Sequence, residues 1–158
     1  MKRILLILSL VLLLLSSCTG NPVKILVKDI SMGGTGDNYN VSPAKVEVER
    51  IGMNGVVKIP ITITNKDSQQ KTFQLNVVSP ILDDISQGYT PYPVKGIGTF
   101  FSNDTVTVNG GGEETVNFYI AKVEKIPNIQ VWANVSVETN QQITSAYIVN
   151  ILIKGDKK

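Results

Sequence analysis

The sequence predicts an all-β protein: a single antiparallel β-sandwich of about 7–8 strands, preceded by an N-terminal signal peptide. Three observations carry that expectation. Apolar and polar residues alternate with period two through most of the chain after residue 40, and the apolar ones are mostly β-branched. Turn-forming runs rich in Gly, Asn and Asp separate the alternating segments. No segment past the N-terminal leucine run keeps a helical apolar period over a useful length.

Taken in order, residues 23–30 (VKILVKDI) read as a first strand and 31–40 (SMGGTGDNYN) as a flexible loop. In VSPAKVEVER, Ala44, Val46 and Val48 alternate with Lys45, Glu47 and Glu49. After the turn GMNG, Val57, Ile59, Ile61 and Ile63 line one face of VVKIPITITN, and Lys58, Pro60, Thr62 and Thr64 line the other. Pro60 has no N–H to give a ladder, which predicts a strand edge or a bulge there. The polar turn NKDSQQ leads to KTFQLNVV, with Phe73, Leu75 and Val77 inward. Residues 79–103 (SPILDDISQGYTPYPVKGIGTFFSN) carry Pro80, Pro91 and Pro93 and read as a long irregular loop, a feature that is often functional. Pattern resumes with Val106 and Val108, turns at NGGGEE, and returns with Val116, Phe118 and Ile120. KVEKIPN reads as a connection. Ile129, Val131, Ala133, Val135 and Val137 then alternate inward, TNQQ turns, and ITSAYIVNILIK closes the fold before a polar tail.

The N-terminus has its own logic. Lys2 and Arg3 precede a run from residue 4 to 15 that is apolar except for Ser9, and Ser16, Ser17 and Cys18 follow. Charge, apolar run and small residues in that order predict a secretory signal. The run is shorter than the roughly 17–25 residues of a membrane-spanning helix. Leu15-Ser16-Ser17-Cys18 resembles the bacterial lipobox, which implies a diacylglycerol on the thiol and cleavage just before Cys18. The expected domains are therefore a signal peptide (1–17), a short lipidated tether (18–22), the sandwich (23–154) and a polar tail (155–158). Two acyl chains hold far better than one, since each buried methylene adds about 0.8 kcal/mol. Thr19 stands where aspartate marks inner-membrane retention in such signals, so the resemblance implies an outer-membrane address in a cell that has one, and otherwise the extracytoplasmic face of the plasma membrane. Cys18 is the only cysteine, so no internal disulfide can form.

Charge excludes some partners. Removing Lys2 and Arg3 from the 15 basic residues leaves 13, balanced by 13 acidic ones. A neutral mature chain lacks the clustered cations that nucleic acid requires.

The segments VSPAKVEVE and VVKIPITITNKDSQQKTFQLNVV resemble immunoglobulin-like domains of the PapD-chaperone and major-sperm-protein type. There, a strand opening on Ser-Pro precedes a strand that ends in Asn, a polar turn and an alternating strand. TVTVNGGGEETVNFYIAKVEKIPN is similar to their Gly-rich turn before a strand that runs into a proline, and VWANVSV and AYIVNILI resemble their closing strands. The resemblance covers most of 41–153 and implies an immunoglobulin-like sandwich. The basic pair with which pilus chaperones clamp a carboxylate has no counterpart here, so the resemblance transfers no functional residue.

With no histidine and no thiol outside the anchor, Ser-His-Asp, Cys-His and His/Cys zinc chemistry are excluded. Asp83-Asp84 and Glu113-Glu114 are adjacent pairs, and neighbours on a strand point to opposite faces. Asp29, Asp37, Asn38 and Asn40 are too few and wrongly spaced for the six to eight oxygens of a calcium site. The sequence thus offers no catalytic residue, metal site or cofactor. The candidate binding surface is Tyr89, Tyr92, Phe100 and Phe101, rings on a Pro- and Gly-rich scaffold, together with Trp132, which faces away from Val131 and Ala133. These rings either form an exposed loop or plug one end of the sandwich. The expected function is a membrane-anchored, non-catalytic envelope module that binds or scaffolds another envelope protein or a glycan. The alternatives are a carboxylate-dependent hydrolase of envelope polysaccharide and a structural spacer or assembly subunit.

Overall fold

The structure, a computed structural model, describes residues 25–28, 38–139 and 142–156. The signal segment, Cys18, Thr19, the tether, Asp29, Asp37 and the last two lysines lie outside the described residues.

The strands are β1 (Ile25–Lys28), β2 (Tyr39–Ser42), β3 (Lys45–Val48), β4 (Val56–Asn65), β5 (Lys71–Val78), β6 (Thr90–Pro91), β7 (Ile97–Phe101), β8 (Thr105–Val108), β9 (Glu113–Lys122), β10 (Ile129–Thr139) and β11 (Gln142–Ile153). They form two sheets. One has the order β1-β3-β11-β10-β5-β8, with the two-residue β6 also paired to β10; the other is β2-β4-β9-β7. The pairings are antiparallel except β3 with β11 and β6 with β10. The chain changes sheets at Ser42–Pro43, a cis peptide: β2 pairs with β4 and β3 pairs with β11. The all-β sandwich expected from the sequence is thus the fold observed.

The period-two pattern is realised as burial. Val57, Ile59, Ile61 and Ile63 of β4, Val116, Phe118 and Ile120 of β9, and Ile129, Val131, Ala133 and Val135 of β10 are all buried between the sheets. Phe101 meets Phe118 edge-on at 5.1 Å between ring centroids. Pro60 lies opposite Asn117 on β9, and on its other side β2 reaches only to Thr62, so the missing N–H falls where the strand has one neighbour.

Three segments depart from the sequence reading. Tyr39, in the expected loop 31–40, begins β2 and is buried against Phe73 (4.9 Å) and Tyr147 (4.7 Å). Residues 97–101, within the expected long loop, form β7: Ile97 and Phe101 turn inward and Gly98 and Phe100 outward, paired to Lys122–Phe118 of β9. Glycine and proline lower strand propensity locally, and the pairing with β9 overrides that. Lys122, read as part of a connection, ends β9 on its buried face, and its Nζ donates to the Ile51 carbonyl (2.9 Å) and to Asp156 Oδ1 (2.6 Å). Asp156 Oδ2 also accepts from the Ile126 N–H, so this carboxylate ties the end of the chain to β9. Its carboxyl is held below the ordinary value, first by Lys122 and then by that N–H.

At the opposite end the buried Asn65 amide donates to the carbonyls of Gln69, Val108 and Asn109, while its Oδ1 accepts from the Asp67 N–H. The turn 66–70 is thereby locked against the turn 109–112. A side chain on Gly110 would collide with the Ser68 carbonyl, and Gly111 adopts φ +68°, so this glycine pair is required by close approach and by conformation. Lys71 pairs with Asp67 and holds its carboxyl below the ordinary value.

Candidate functional site

The outer face of the seven-stranded sheet is built on the residues of β10 that alternate with its core row. Gln130, Trp132, Asn134 and Ser136 share that face because Ile129, Val131, Ala133 and Val135 are inward. Register fixes their neighbours. Trp132 lies between Asn150 of β11 and Val78 of β5, and Lys45 of β3 follows beyond Asn150. Asn134 lies between Ile148 and Asn76, and Ser136 between Ala146 and Gln74. The half-buried indole is thus set among the side-chain amides of Gln130, Asn134, Asn150 and Asn76.

One edge of this face is closed by the 79–94 segment, where the 3-10 turn Leu82–Asp84 folds over Gln130. Gln130 is fully buried; its Oε1 accepts from the Ser86 N–H (2.7 Å) and its Nε2 donates to the Asp84 carbonyl (3.0 Å). Thr90 and Tyr92 donate backbone N–H groups to the carbonyls of Asn128 and Gln130, which sets β6 beside β10. The rest of the face is less satisfied. Asn134 Oδ1, Ser136 Oγ and Asn150 Oδ1 are buried polar atoms with no hydrogen-bond partner among the described residues; Thr99 Oγ1, on β7, is another. Left unpaired, such a group costs on the order of 1–3 kcal/mol. Three of them lie on this one face of the sheet, those of Asn134 and Asn150 next to Trp132 and that of Ser136 farther along β10.

The structure separates the five rings named from sequence. Trp132 stands on this face, opposite Val78 at the end of β5. Tyr92 is half-buried and packs against the core, and Tyr89 is half-buried near Lys154. Phe101 is in the core. Phe100 points the other way, onto the outer face of the four-stranded sheet, where it stacks on Tyr119 at 5.2 Å and 19°. The sequence reading missed the amides and Tyr119. Strand parity was the available signal: Asn134 shares the parity of Trp132, and Tyr119 alternates with Phe118.

The carboxylates do not converge. Asp83 and Asp84 are exposed on the 3-10 turn beside Gln130, whereas Glu113 and Glu114 are exposed at the start of β9, opposite Thr64 and Ile63, at the far end of the sandwich. Of the residues weighed for calcium, Asn38 donates to Asp67 (2.6 Å) and Asn40 is exposed on β2. Among the described residues no group of three His, Cys, Asp or Glu side chains is placed to hold a metal.

No family model and no curated protein sequence matches the chain. Solved structures do match its fold. The chain is similar to an ASH / PapD-like domain of human CEP192 at 8% identity and TM-score 0.59, covering 84% of this chain and 94% of that one. It is similar to a Bacteroides ovatus chain named "putative carbohydrate binding protein" at 12% identity and TM-score 0.56, covering 75% of this chain and 37% of that one. It is also similar to a chain from a chaperone–tip adhesin complex of CFA/I fimbriae biogenesis, at 10% identity and TM-score 0.53, over 77% and 58% of the two. At such identities the likeness concerns fold. The protein is an immunoglobulin-like β-sandwich whose structural neighbours are PapD-like.

Proposed function

We propose that this chain is a non-catalytic binding module of the bacterial envelope, anchored through acyl chains on Cys18, that takes a glycan on the outer face of its seven-stranded sheet. The observation that carries the glycan assignment is half-buried Trp132 with half-buried Asn150 and exposed Asn76 beside it on the outer face of the seven-stranded sheet. An indole offers a large apolar surface to the C–H face of a sugar ring, and amides both donate to and accept from hydroxyls. The Bacteroides ovatus neighbour, named for carbohydrate binding, supports the same class of ligand. The anchor rests on the charge, apolar run and Leu15-Ser16-Ser17-Cys18 order of the N-terminus. Thr19 after the cysteine favours the outer membrane.

The test is a glycan array probed with the purified chain, with isothermal titration of any hit. Trp132→Phe is expected to weaken binding and Trp132→Ala to abolish it, with melting followed in parallel. Undiminished binding by a folded Trp132→Ala variant refutes the glycan site. The anchor is tested separately by radiolabelled palmitate with and without globomycin: Cys18→Ala is expected to lose the label and to leave the membrane fraction.

A second reading, scaffolding of another envelope protein, is favoured by exposed Phe100, stacked on half-buried Tyr119 and carried by β7, which among the described residues pairs only with β9 in its sheet. Cross-linking and pull-down from intact cells, lost on Phe100→Ser and kept on Trp132→Ala, would support that reading.

A further inference from the structure

Eight large apolar residues are exposed among the described residues, and five of them lie at one end of the sandwich: Met53 (55%), Val56 (60%), Ile81 (60%), Leu82 (82%) and Val123 (61%). The pairings place them there. Ile25 of β1 lies opposite Val48, Val48 opposite Ile153, and Ile153 opposite Ile129, so these four residues mark one end of the seven-stranded sheet. Val56 opens β4 opposite Ala121, the Lys122 N–H donates to the Gly55 carbonyl, and Met53 lies in the turn just before. Val123 follows β9 on the way to β10, and Lys122 reaches both Ile51 and Asp156, just beyond β3 and β11, which brings the two sheets' ends together. Ile81 and Leu82 follow β5, whose last residue, Val78, pairs with Trp132. Exposed Arg50 and Lys125 stand on the same end, as do exposed Asp83, Asp84 and Glu124, the last paired with Lys95. The other exposed apolar residues, Phe100, Ile143 and Ile148, lie elsewhere on the sheets.

β1 begins at the same end, with Ile25 opposite Val48. Ile25, the first described residue of β1, comes only seven positions after Cys18. Even fully extended, those seven steps of chain span at most about 25 Å. We infer that this end of the sandwich lies on the lipid bilayer, with Met53, Val56, Leu82 and Val123 entering its interfacial layer and Arg50 and Lys125 facing lipid phosphates. Exposed apolar residues collected beside an anchoring point suit such a contact, and cations near a lipid surface are drawn to its anionic headgroups. The inference rests on the lipid anchor proposed above. It holds the Trp132 face upright beside the membrane and leaves the far end, with its Asn65-locked turns, pointing away.

The test uses the acylated full chain, isolated from membranes with its Met, Ile, Leu and Val methyl groups labelled, in nanodiscs of phosphatidylethanolamine and phosphatidylglycerol that carry a headgroup nitroxide. Methyl signals of Met53, Val56, Leu82 and Val123 are expected to lose most of their intensity, while exposed Ile143 and half-buried Val106, near the other end, keep theirs. Equal loss at Ile143 and Val123, or loss at neither, overturns the inference although the chain is anchored. A wild-type chain without an acyl group that does not hold to the disc overturns the anchor, and the inference with it. In a Val56→Ser/Leu82→Ser/Val123→Ser variant, all three sites being exposed, the melting temperature and the acylation are expected to persist while Met53 recovers its signal. Unchanged loss at Met53 in that variant overturns the contact role of the three side chains.

Discussion

Replacing Asp156 by alanine tests how the C-terminal segment is held. The Lys122 side chain is 3% exposed and the Asp156 side chain 31%, and the ammonium has two acceptors, Asp156 Oδ1 at 2.6 Å and the Ile51 carbonyl at 2.9 Å. Asp156→Ala removes the only carboxylate of that pair and also the acceptor of the Ile126 N–H. Removing one partner of a fully buried ion pair costs about 3–5 kcal/mol. Here the retained carbonyl and the partial access of water at Asp156 reduce the expected loss to about 2–3 kcal/mol, or roughly 6–12 °C in Tm. Lys122→Met keeps an apolar stem in the same place and leaves Asp156 wetted and bonded to Ile126, so about 1 kcal/mol or less is expected. In the Lys122→Met background, Asp156→Ala should then cost much less than it does alone, a coupling of about 1–2 kcal/mol by double-mutant cycle in urea or guanidinium. The sign with pH follows from the direction of the shift. A carboxyl lowered in the folded state adds stability in full above its ordinary value of 3.8 and loses it as pH falls through the lower folded value. The gap between wild type and Asp156→Ala should therefore close below that value. An Asp156→Ala variant within 0.5 kcal/mol of wild type at neutral pH (about the scatter of ordinary surface substitutions), or an equal cost in both backgrounds, would refute the reasoning.

The adjacent Phe100 and Phe101 should behave oppositely in chemical denaturation: Phe101→Ala costs about 3–5 kcal/mol by opening the contact with Phe118, whereas Phe100→Ser stays within about 0.5–1 kcal/mol because its ring lies on the surface against Tyr119. Asn65→Ala leaves three carbonyls and one N–H without their side-chain partner and should cost about 2–4 kcal/mol, measured by guanidinium unfolding; a loss under about 1 kcal/mol contradicts its role as the lock between the two turns. Gly110→Ala should lower Tm because its methyl meets the Ser68 carbonyl, while Gly98→Ala, where a Cβ has open space, should leave Tm nearly unchanged. Asp67, like Asp156, should lend stability above 3.8 that fades on acidification, so Asp67→Asn is expected to show a shallower acid limb than wild type.

The sequence by itself determined the sandwich and most of its core. Alternation has a period of two only on a strand, so Val57, Ile59, Ile61 and Ile63, or Ile129 to Val135, could be assigned to the interior without coordinates. It determined the absence of histidine and the single cysteine as well, because composition needs no fold. What alternation cannot express is which strands meet. Trp132 reads as an outward residue, but that Asn150 stands on one side of it and Val78 on the other follows from pairings across 18 and 54 residues of chain. Tyr39 and Phe101 sit in segments whose glycines and prolines hide their strands until β4 and β9 supply partners. Lys122 is the sharpest case. Its parity with Phe118 and Ile120 points inward, its charge argues against burial, and only a carboxylate 34 residues later in the chain, brought close by the closing of both sheets, resolves the conflict. Local pattern fixes which face of a strand is apolar; the compensation of buried polar groups depends on contacts distant in sequence, and only the tertiary structure decides those.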